Sequence, residues 1–237
     1  MLKKIESKNM GNSNLGWLKS KFHFSFAEYY NPDNINFGVL RVINDDLIEA
    51  GTGFDVHPHR DMEIVSYVVN GELTHRDSMG NNNTISRGHV QYMSAGTGVH
   101  HSEYNLGEDK LRLLQIWILP DKKNHSPNYG DYRFNWNDRN NKWLHMVSSK
   151  SGDAPIKVNQ DINIYSLELE KGKEIDFKVE EGRQAYLVQI EGRSVINDIQ
   201  LDHMDAMEII EEDISIMAEQ TSHILVLEMN KAVINLI

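Results

Sequence analysis

The chain has 237 residues and a formal net charge of −11, with 24 basic and 35 acidic side chains. It has no cysteine, which excludes disulfide bonds, thiolate metal sites and cysteine nucleophiles. An acidic chain without a basic patch is unsuited to binding nucleic acid directly, because phosphate groups repel it. We find no signal peptide and no apolar segment long enough to cross a bilayer, and we expect a cytoplasmic protein without membrane partners.

Short apolar segments, bounded by glycine, asparagine or aspartate, recur along the whole chain. Their length and spacing predict an all-β sandwich or barrel, and Asn70-Gly71 and Glu191-Gly192 predict turns between strands. The predicted strands are residues 38–43, 63–69, 89–93, 111–119, 162–169, 185–190 and 224–228. Two short helices are also predicted, at residues 12–21 and 137–142.

A polar, turn-rich stretch between Pro120 and Ala154 separates two β-rich halves. Such a shift in composition predicts a domain boundary. We therefore expect an N-terminal domain of residues 1–130 and a C-terminal domain of residues 131–237.

Histidine is distributed unevenly between these halves. Six of the eleven histidines lie between His57 and His101, and only His203 and His223 lie beyond Lys150. Single histidines are more often surface or packing residues than metal ligands. We therefore expect a metal site in the N-terminal domain and none in the C-terminal domain.

Two pairs of potential ligands carry the chemistry. His57 and His59 flank Pro58, and His101 and Glu103 flank a serine. Side chains at positions i and i+2 of a strand share a face, so two facing strands would bring three imidazoles and one carboxylate around one centre. This donor set suits one divalent ion and accepts Fe(II), Mn(II), Ni(II), Cu(II) or Zn(II). Two adjacent positions of a six-coordinate ion would remain open for substrate and for dioxygen or water.

Other side chains near these two pairs are not expected to bind the metal. His100 is expected to face away from the site, and His75 and His89 to lie in the pocket or at its rim without binding metal. Arg60 is expected to form a structural ion pair near the entrance. Alternation along strands predicts that core or pocket-lining positions include Gln91, Met93, Gln115 and Trp117.

The segment from Gly51 through His57, His59 and Glu63 to Gly71 resembles the first signature motif of the cupin superfamily. A second such motif begins at Gly88. More specifically, the chain resembles the pirin family. That resemblance rests on His57-Pro58-His59-Arg60, on Glu63-x-Val65-Ser66-Tyr67, and on the run from Gly88 through Gly96-x-Gly98 to His101-Ser102-Glu103. It extends from Phe22 to Pro120, and continues more loosely around residues 182–186.

This resemblance implies a bicupin, that is, two stacked cupin β-barrels of the jelly-roll type, with metal only in the N-terminal one. The general cupin pattern would use Glu63 as the carboxylate ligand. The pirin pattern uses Glu103, which we expect here together with His57, His59 and His101. Glu63 then becomes a candidate for orienting a ligand histidine from behind.

Bacterial pirins of this type resemble quercetin 2,3-dioxygenases, which implies a flavonol and O2 as substrates and release of carbon monoxide. Glu103 would act catalytically by accepting the proton of the flavonol hydroxyl. The main alternative is a non-catalytic, iron-binding regulatory protein, a transcriptional cofactor or redox sensor with a protein partner. A metal-dependent reaction on another small enol or keto acid is a third possibility.

Overall fold

The computed structural model describes residues 1–231. Their regular secondary structure is almost entirely β-strand, with one turn of 3-10 helix at Ser7–Asn9 and another at Trp136–Arg139. The strands are β1 (Leu2–Ile5), β2 (Gly11–Asn14), β3 (Leu18–Phe22), β4 (Leu40–Ile48), β5 (Gly53–His59), β6 (Glu63–Asn70), β7 (Glu72–Asp77), β8 (Asn82–Ser86), β9 (Val90–Ser94), β10 (Val99–Tyr104), β11 (Leu111–Ile118), β12 (Asn128–Tyr132), β13 (Leu144–Ser149), β14 (Ile156–Val158), β15 (Ile162–Leu169), β16 (Glu174–Phe177), β17 (Arg183–Glu191), β18 (Ser194–Ile196), β19 (Ile199–Leu201), β20 (Ala206–Ile210), β21 (Ile214–Ala218) and β22 (Ser222–Asn230).

The strands belong to two compact units. The first unit comprises Gly11–Phe134 and Val158–Gln160, and the second comprises Met1–Met10, Asn135–Lys157 and the described residues from Asp161 onward. The first unit contains a seven-stranded sheet, β12-β9-β6-β11-β4-β3-β2, and a four-stranded sheet, β5-β10-β7-β8. No helix among residues 1–231 is both long enough and apolar enough to span a membrane.

Apolar side chains from both sheets of the first unit meet in one core. Strand alternation turns every second side chain inward, and the interlocking side chains are Leu18, Ile48, Val68, Leu73, Ile85, Leu111 and Leu113. Two sheets packed in this way form a double-sheet jelly roll. The two sheets do not close on each other by strand pairing, because β2, β5, β8 and β12 remain sheet edges, and this agrees with the jelly-roll type expected from the sequence.

The second unit repeats this architecture. Its seven-stranded sheet has the order β1-β20-β17-β22-β15-β13-β14, and its four-stranded sheet has the order β16-β21-β18-β19. The strand β1 pairs antiparallel with β20, from Leu2 opposite Ile209 to Ile5 opposite Ala206. The core between the two sheets is apolar and includes Leu167, Leu187, Ile216 and Val226.

Strand prediction from apolar segments succeeded, whereas the helix at residues 12–21 is wrong. Residues 162–169 form β15, and the other six predicted strands overlap observed ones. Residues 12–21 instead form the hairpin of β2 and β3, with Gly11 opposite Phe22 and Gly16 in the left-handed region at φ 85°. Burial alternates along β3, the period of a strand rather than a helix. Of the helix at 137–142, only the 3-10 turn Trp136–Arg139 forms.

Candidate metal centre

Adjacent antiparallel strands bring three histidines together in the first unit. On β5 and β10, His57 lies opposite His101, and His59 lies opposite Val99. The ring centroids of His57 and His101 are 4.5 Å apart, and His59 lies 4.9 Å from each. One potential ligand atom from each imidazole falls within 4.8 Å of the others. This spacing is compatible with three nitrogens around one metal ion.

A β-bulge between β5 and β10 interrupts the strand pairing next to the three histidines. The register shifts between His101 and Glu103, so that Glu103 lies opposite Phe54 and β5 carries one extra residue. Within the bulge, Nδ1 of His57 lies 2.7 Å from the backbone oxygen of Asp55. A hydrogen on Nδ1 satisfies that carbonyl, which leaves Nε2 as the unprotonated nitrogen available to a metal.

The protonation of the cluster also fits a metal. Burial, followed by the neighbouring His101 and His57, lowers the pKa of His59 to about 4. Burial, followed by His57 and His75, lowers the pKa of His101 to about 3. Both imidazoles are therefore neutral near pH 7. Within the described part of the chain, Nε2 of His101 is buried with no hydrogen-bond partner, a cost that a metal bond would remove.

Glu103 completes the donor set from the same strand. It is 2% exposed, and side chains of the opposing sheet hold its carboxylate. Oε1 accepts hydrogen bonds from Ser66 Oγ at 3.1 Å and Gln91 Nε2 at 2.5 Å, and Oε2 accepts one from Gln115 Nε2 at 2.6 Å. These three donors compensate a buried negative charge. Strand alternation predicted inward positions for Gln91 and Gln115, but not that they would hold Glu103.

A second row of polar side chains lies behind His101. Nδ1 of His101 is 3.4 Å from Nδ1 of His75, whose Nε2 is 3.1 Å from Oδ2 of Asp77. The His75 ring stacks on Tyr129, with centroids 4.6 Å apart. Burial raises the pKa of Asp77, but hydrogen bonds from Asn81 and His75 outweigh it and lower that pKa below its ordinary value. Asp77 is thus an anion that fixes the proton of His75.

These contacts indicate that His75 orients His101, although its position would also allow it to be a metal ligand. His75, His101 and Glu103 offer ligand atoms within 4.8 Å of one another. Both ring nitrogens of His75 are already engaged, however, and its side chain is fully buried. A carboxylate–histidine pair behind a ligand histidine is a common means of fixing its ring and tautomer.

We expect Asp77→Asn to weaken metal binding about 10–100-fold, the range typical of losing an orienting partner. An amide carries no charge to hold the proton on His75, so the ring of His101 loses its fixed orientation. Competition with a fluorescent chelator at pH 7 measures the change. Asp109→Asn removes an exposed carboxylate of the same unit and serves as the control. Equal affinities for the wild type and Asp77→Asn would contradict this role.

The histidine cluster opens into a cavity of about 320 Å³ within the first unit. His57, His59 and Glu103 form one part of its wall, and aromatic side chains form much of the remainder: Phe22, Phe26, Phe54 and Trp117. The Trp117 ring lies 4.9 Å from that of His59, edge to face. The cavity is of a size and character that suits a small flat aromatic molecule.

The structure places the other candidate residues away from the cluster. His100 is exposed, as expected. The exposed Arg60 lies 3.6 Å from Asp61. His203 is exposed, and His223 is buried, with Nδ1 3.3 Å from a carboxylate oxygen of Glu191. Among residues 1–231, neither His203 nor His223 belongs to a group of three potential ligands.

Glu63 has a different task from the one expected. Its carboxylate is fully buried and accepts hydrogen bonds from Tyr92 Oη at 2.8 Å, from Asn159 N at 2.8 Å and from Gln160 N at 3.0 Å. It therefore fastens the segment Val158–Gln160 to the rest of the first unit. The expectation that Glu63 orients a ligand histidine is wrong, because its partners across the described chain are these three residues.

The second unit also has a cavity, of about 480 Å³. Its polar side chains pair with one another. Arg183 bonds to Glu228 at 2.9 Å and to Asp161 at 2.6 Å, and Asn163 Nδ2 donates to Glu228 at 2.8 Å. The carboxylates of Glu228 and Asp161 are paired with the guanidinium group, and among residues 1–231 this cavity holds no group of three potential metal ligands.

Comparison with known proteins gives matches along most of the chain. A family model described as Pirin matches residues 4–118, and one described as Quercetinase C-terminal cupin domain matches residues 145–229. Quercetin 2,3-dioxygenase of Escherichia coli (strain K12) is 41% identical over 221 residues, 92% of this chain and 94% of that protein. A pirin-like protein of Caulobacter vibrioides is 41% identical over 204 residues, 86% of this chain and 88% of that protein.

Solved structures agree with these relatives. The bacterial pirin YhhW of Escherichia coli in complex with nickel(II) superposes with a TM-score of 0.92 at 38% identity, over 98% of this chain and 100% of that one. These likenesses confirm the all-β bicupin fold, with a jelly-roll cupin domain in each half. They also show that a protein similar in sequence and fold can bind a divalent metal ion.

Proposed function

The chain belongs to the pirin family of the cupin superfamily, and from that premise we propose that it is a metal-dependent dioxygenase. In this proposal it cleaves a flavonol such as quercetin with O2 and releases carbon monoxide. The observation that carries the proposal is the convergence of His57, His59 and His101 on one point at the wall of an aromatic-lined cavity. A relative named quercetin 2,3-dioxygenase supports the choice of substrate.

We assign the metal ligands as His57, His59, His101 and Glu103, with Fe(II) as the first expectation and Mn, Ni, Cu, Co or Zn as alternatives. Three imidazoles and one carboxylate form a donor set that all these ions accept. A divalent ion held by these residues would act as a Lewis acid and favour loss of the flavonol hydroxyl proton. The protein fixes the rings through Asp55 and His75, so that the nitrogens are correctly directed before binding.

Glu103 is the residue we assign to accept the flavonol hydroxyl proton. Each carboxylate oxygen can accept two hydrogen bonds. Oε1 already has two donors, Ser66 and Gln91, whereas Oε2 has one, Gln115. Oε2 therefore retains a lone pair for the ion or for the proton. The three donors hold the carboxylate in place, so that Oε2 can accept the proton of a hydroxyl group beside it.

The cavity contributes by enclosing the reactants. Phe22, Phe26 and Trp117 pack against one another, with ring centroids 5.6 Å apart for Phe22–Phe26 and 5.5 Å for Phe26–Trp117. An apolar aromatic wall displaces water from a flat substrate and strengthens its polar contacts at the histidines. It would also hold the flavonol in one orientation relative to O2.

We expect about one metal ion per chain, bound in the N-terminal domain of residues 1–130, and none in the C-terminal domain of residues 131–237. We base this expectation on two observations. The histidine cluster belongs to the first unit, and the polar side chains around Arg183 in the second unit are already paired. Elemental analysis of the full chain should give one equivalent, unchanged by His203→Ala or His223→Ala. Anomalous scattering that located a native metal at either of those histidines would refute the assignment.

The test of the proposed function is oxygen uptake with quercetin, together with detection of carbon monoxide. The full chain is loaded in turn with Fe(II), Mn(II), Ni(II), Cu(II) and Co(II). Turnover by at least one of these forms, with about one carbon monoxide released per O2 consumed, supports the proposal. If every form retains its metal and none converts any flavonol, the dioxygenase proposal fails and a non-catalytic iron-binding regulatory protein with a protein partner becomes the better reading.

A further inference from the structure

A polar cluster occupies the part of the cavity wall formed by the seven-stranded sheet, whereas the histidines are on the four-stranded sheet. It consists of Ser20 on β3 and Asn44 and Asp46 on β4, and all three line the cavity. Ser20 lies directly opposite Asp46, and Phe22 lies opposite Asn44. Because Asn44 and Asp46 are two residues apart on one strand, they point to the same side. We call these three residues the polar cluster.

Asp46 is a buried acid within an otherwise largely apolar wall. It is 3% exposed and accepts a hydrogen bond from Ser20 Oγ at 2.5 Å. Burial raises the pKa of Asp46 to about 7; the bond from Ser20 opposes this rise, and the nearby Asp45 and Glu103 add to it. At neutral pH a large fraction of Asp46 therefore carries a proton, and a protonated carboxyl can donate a hydrogen bond as well as accept one.

Asn44 presents an unsatisfied acceptor beside this acid. Its side chain is 4% exposed, and within the described chain its Oδ1 is buried without a hydrogen-bond partner. An unpaired buried carbonyl oxygen is unfavourable by about 1–3 kcal/mol. Stability alone would favour an apolar residue at this position. An occupant of the cavity that donates a hydrogen bond would remove the penalty.

We propose that Asn44 and Asp46 bind a phenolic hydroxyl group of the substrate other than the one that reaches the histidines. This inference rests on the proposed function and adds the substrate class to it: a flat aromatic molecule with a hydroxyl group on a ring that does not chelate. A phenolic hydroxyl both donates and accepts. It can donate to Asn44 Oδ1 while it accepts from the carboxyl group of Asp46.

This arrangement makes the polar cluster a determinant of specificity. A site built to bond a hydroxyl group discriminates strongly against an analogue that lacks it, because its own polar groups are then left unpaired. The apolar walls formed by Phe26 and Trp117 accept either molecule. Selectivity between polyhydroxylated and bare flavonols should therefore reside in Asn44 and Asp46, and affinity for the shared ring system in the aromatic walls.

The test measures dissociation constants without turnover. Quercetin, which has additional ring hydroxyls, and 3-hydroxyflavone, which has only the chelating one, are titrated anaerobically into the metal-loaded full chain. We expect the wild type to prefer quercetin about tenfold or more. Asp46→Leu and Asn44→Leu should abolish that preference by weakening quercetin binding, with 3-hydroxyflavone changed by less than about threefold.

Two further variants separate a binding role from a structural one. Asp46→Asn preserves size and a neutral donor, so it should keep most of the preference. Thr74→Val removes a buried hydroxyl that bonds to Thr84, outside the polar cluster, and should leave both constants unchanged. If the leucine variants weaken both flavonols equally, or if selectivity survives them, the inference is overturned while the proposed function stands. If the wild type binds neither flavonol, the inference and the proposed function both fail.

Discussion

Replacing His57 or His101 by alanine is expected to abolish oxygen consumption with quercetin and to strip the metal from the protein. Each change removes one of three imidazoles that converge within 4.8 Å. The loss of a ligand should exceed the roughly 10–100-fold weakening that follows loss of an orienting partner. His101→Ala should have the larger effect, because it also disconnects His75 and Asp77 from the site.

His100→Ala is the matched control for this prediction. His100 precedes His101 on β10 but is exposed, so its loss should change neither metal content nor turnover. Metal content by elemental analysis and oxygen uptake are measured on the same preparations, and circular dichroism checks that each variant is folded. Full metal occupancy in His57→Ala, or turnover retained by His101→Ala, would show that the ligands have been wrongly assigned.

The second large effect is a contrast between two buried glutamates. Glu103→Gln is expected to lose most of the activity and much of the metal while remaining stably folded. Glu63→Gln is expected to keep most of the metal but to unfold at a lower temperature. The two changes are chemically identical, so a difference in outcome reports the surroundings of each carboxylate.

The partners of each carboxylate explain this contrast. Both oxygens of Glu63 accept hydrogen bonds from the backbone N–H groups of Asn159 and Gln160. A backbone N–H group can only donate a hydrogen bond. In Glu63→Gln, the NH2 group of the new amide would face one of these N–H donors, and we expect a loss of about 2–3 kcal/mol in the free energy of unfolding. The partners of Glu103 include side-chain amides, which can rotate by about 180° and so exchange a hydrogen-bond donor for an acceptor. Gln91 in particular has an Oε1 that is buried and unpaired within the described residues, ready to accept from an amide at position 103.

Thermal unfolding and metal content, measured in parallel, decide between these outcomes. For a chain of this length the loss at Glu63 corresponds to a fall of about 4–12 °C in Tm. If Glu63→Gln lost the metal and Glu103→Gln retained both metal and activity, the general cupin pattern would apply and Glu63 would have to be the ligand.

Short-range periodicity predicted the strands and the pairing of potential ligands, because both depend on spacing along one strand. His57 and His59, two residues apart, do point the same way, and β10 does bring His101 beside them. Periodicity could not identify what lies next to a side chain across the sheets. The contacts of Glu103 with Ser66, Gln91 and Gln115 join three strands of the opposite sheet.

Other features could not be predicted from the sequence either, because they depend on contacts between residues far apart in the chain. The task of Glu63 depends on residues 96 and 97 positions later, and the β-bulge depends on the register between β5 and β10. The helix predicted at residues 12–21 shows a further limit. Its polar residues suited either structure, and the turn at Gly16 together with pairing to β4 selected the strand.

The pairing of β1 with β20 affects the order in which the chain can fold during synthesis on the ribosome. Strand β1 is made some two hundred residues before its partner strand Ala206–Ile210. All eleven strands of the first unit's two sheets are complete by Phe134, so its histidines can assemble while the second unit is still being translated. Deletion of β1 would therefore disturb the late-folding unit and spare the early one.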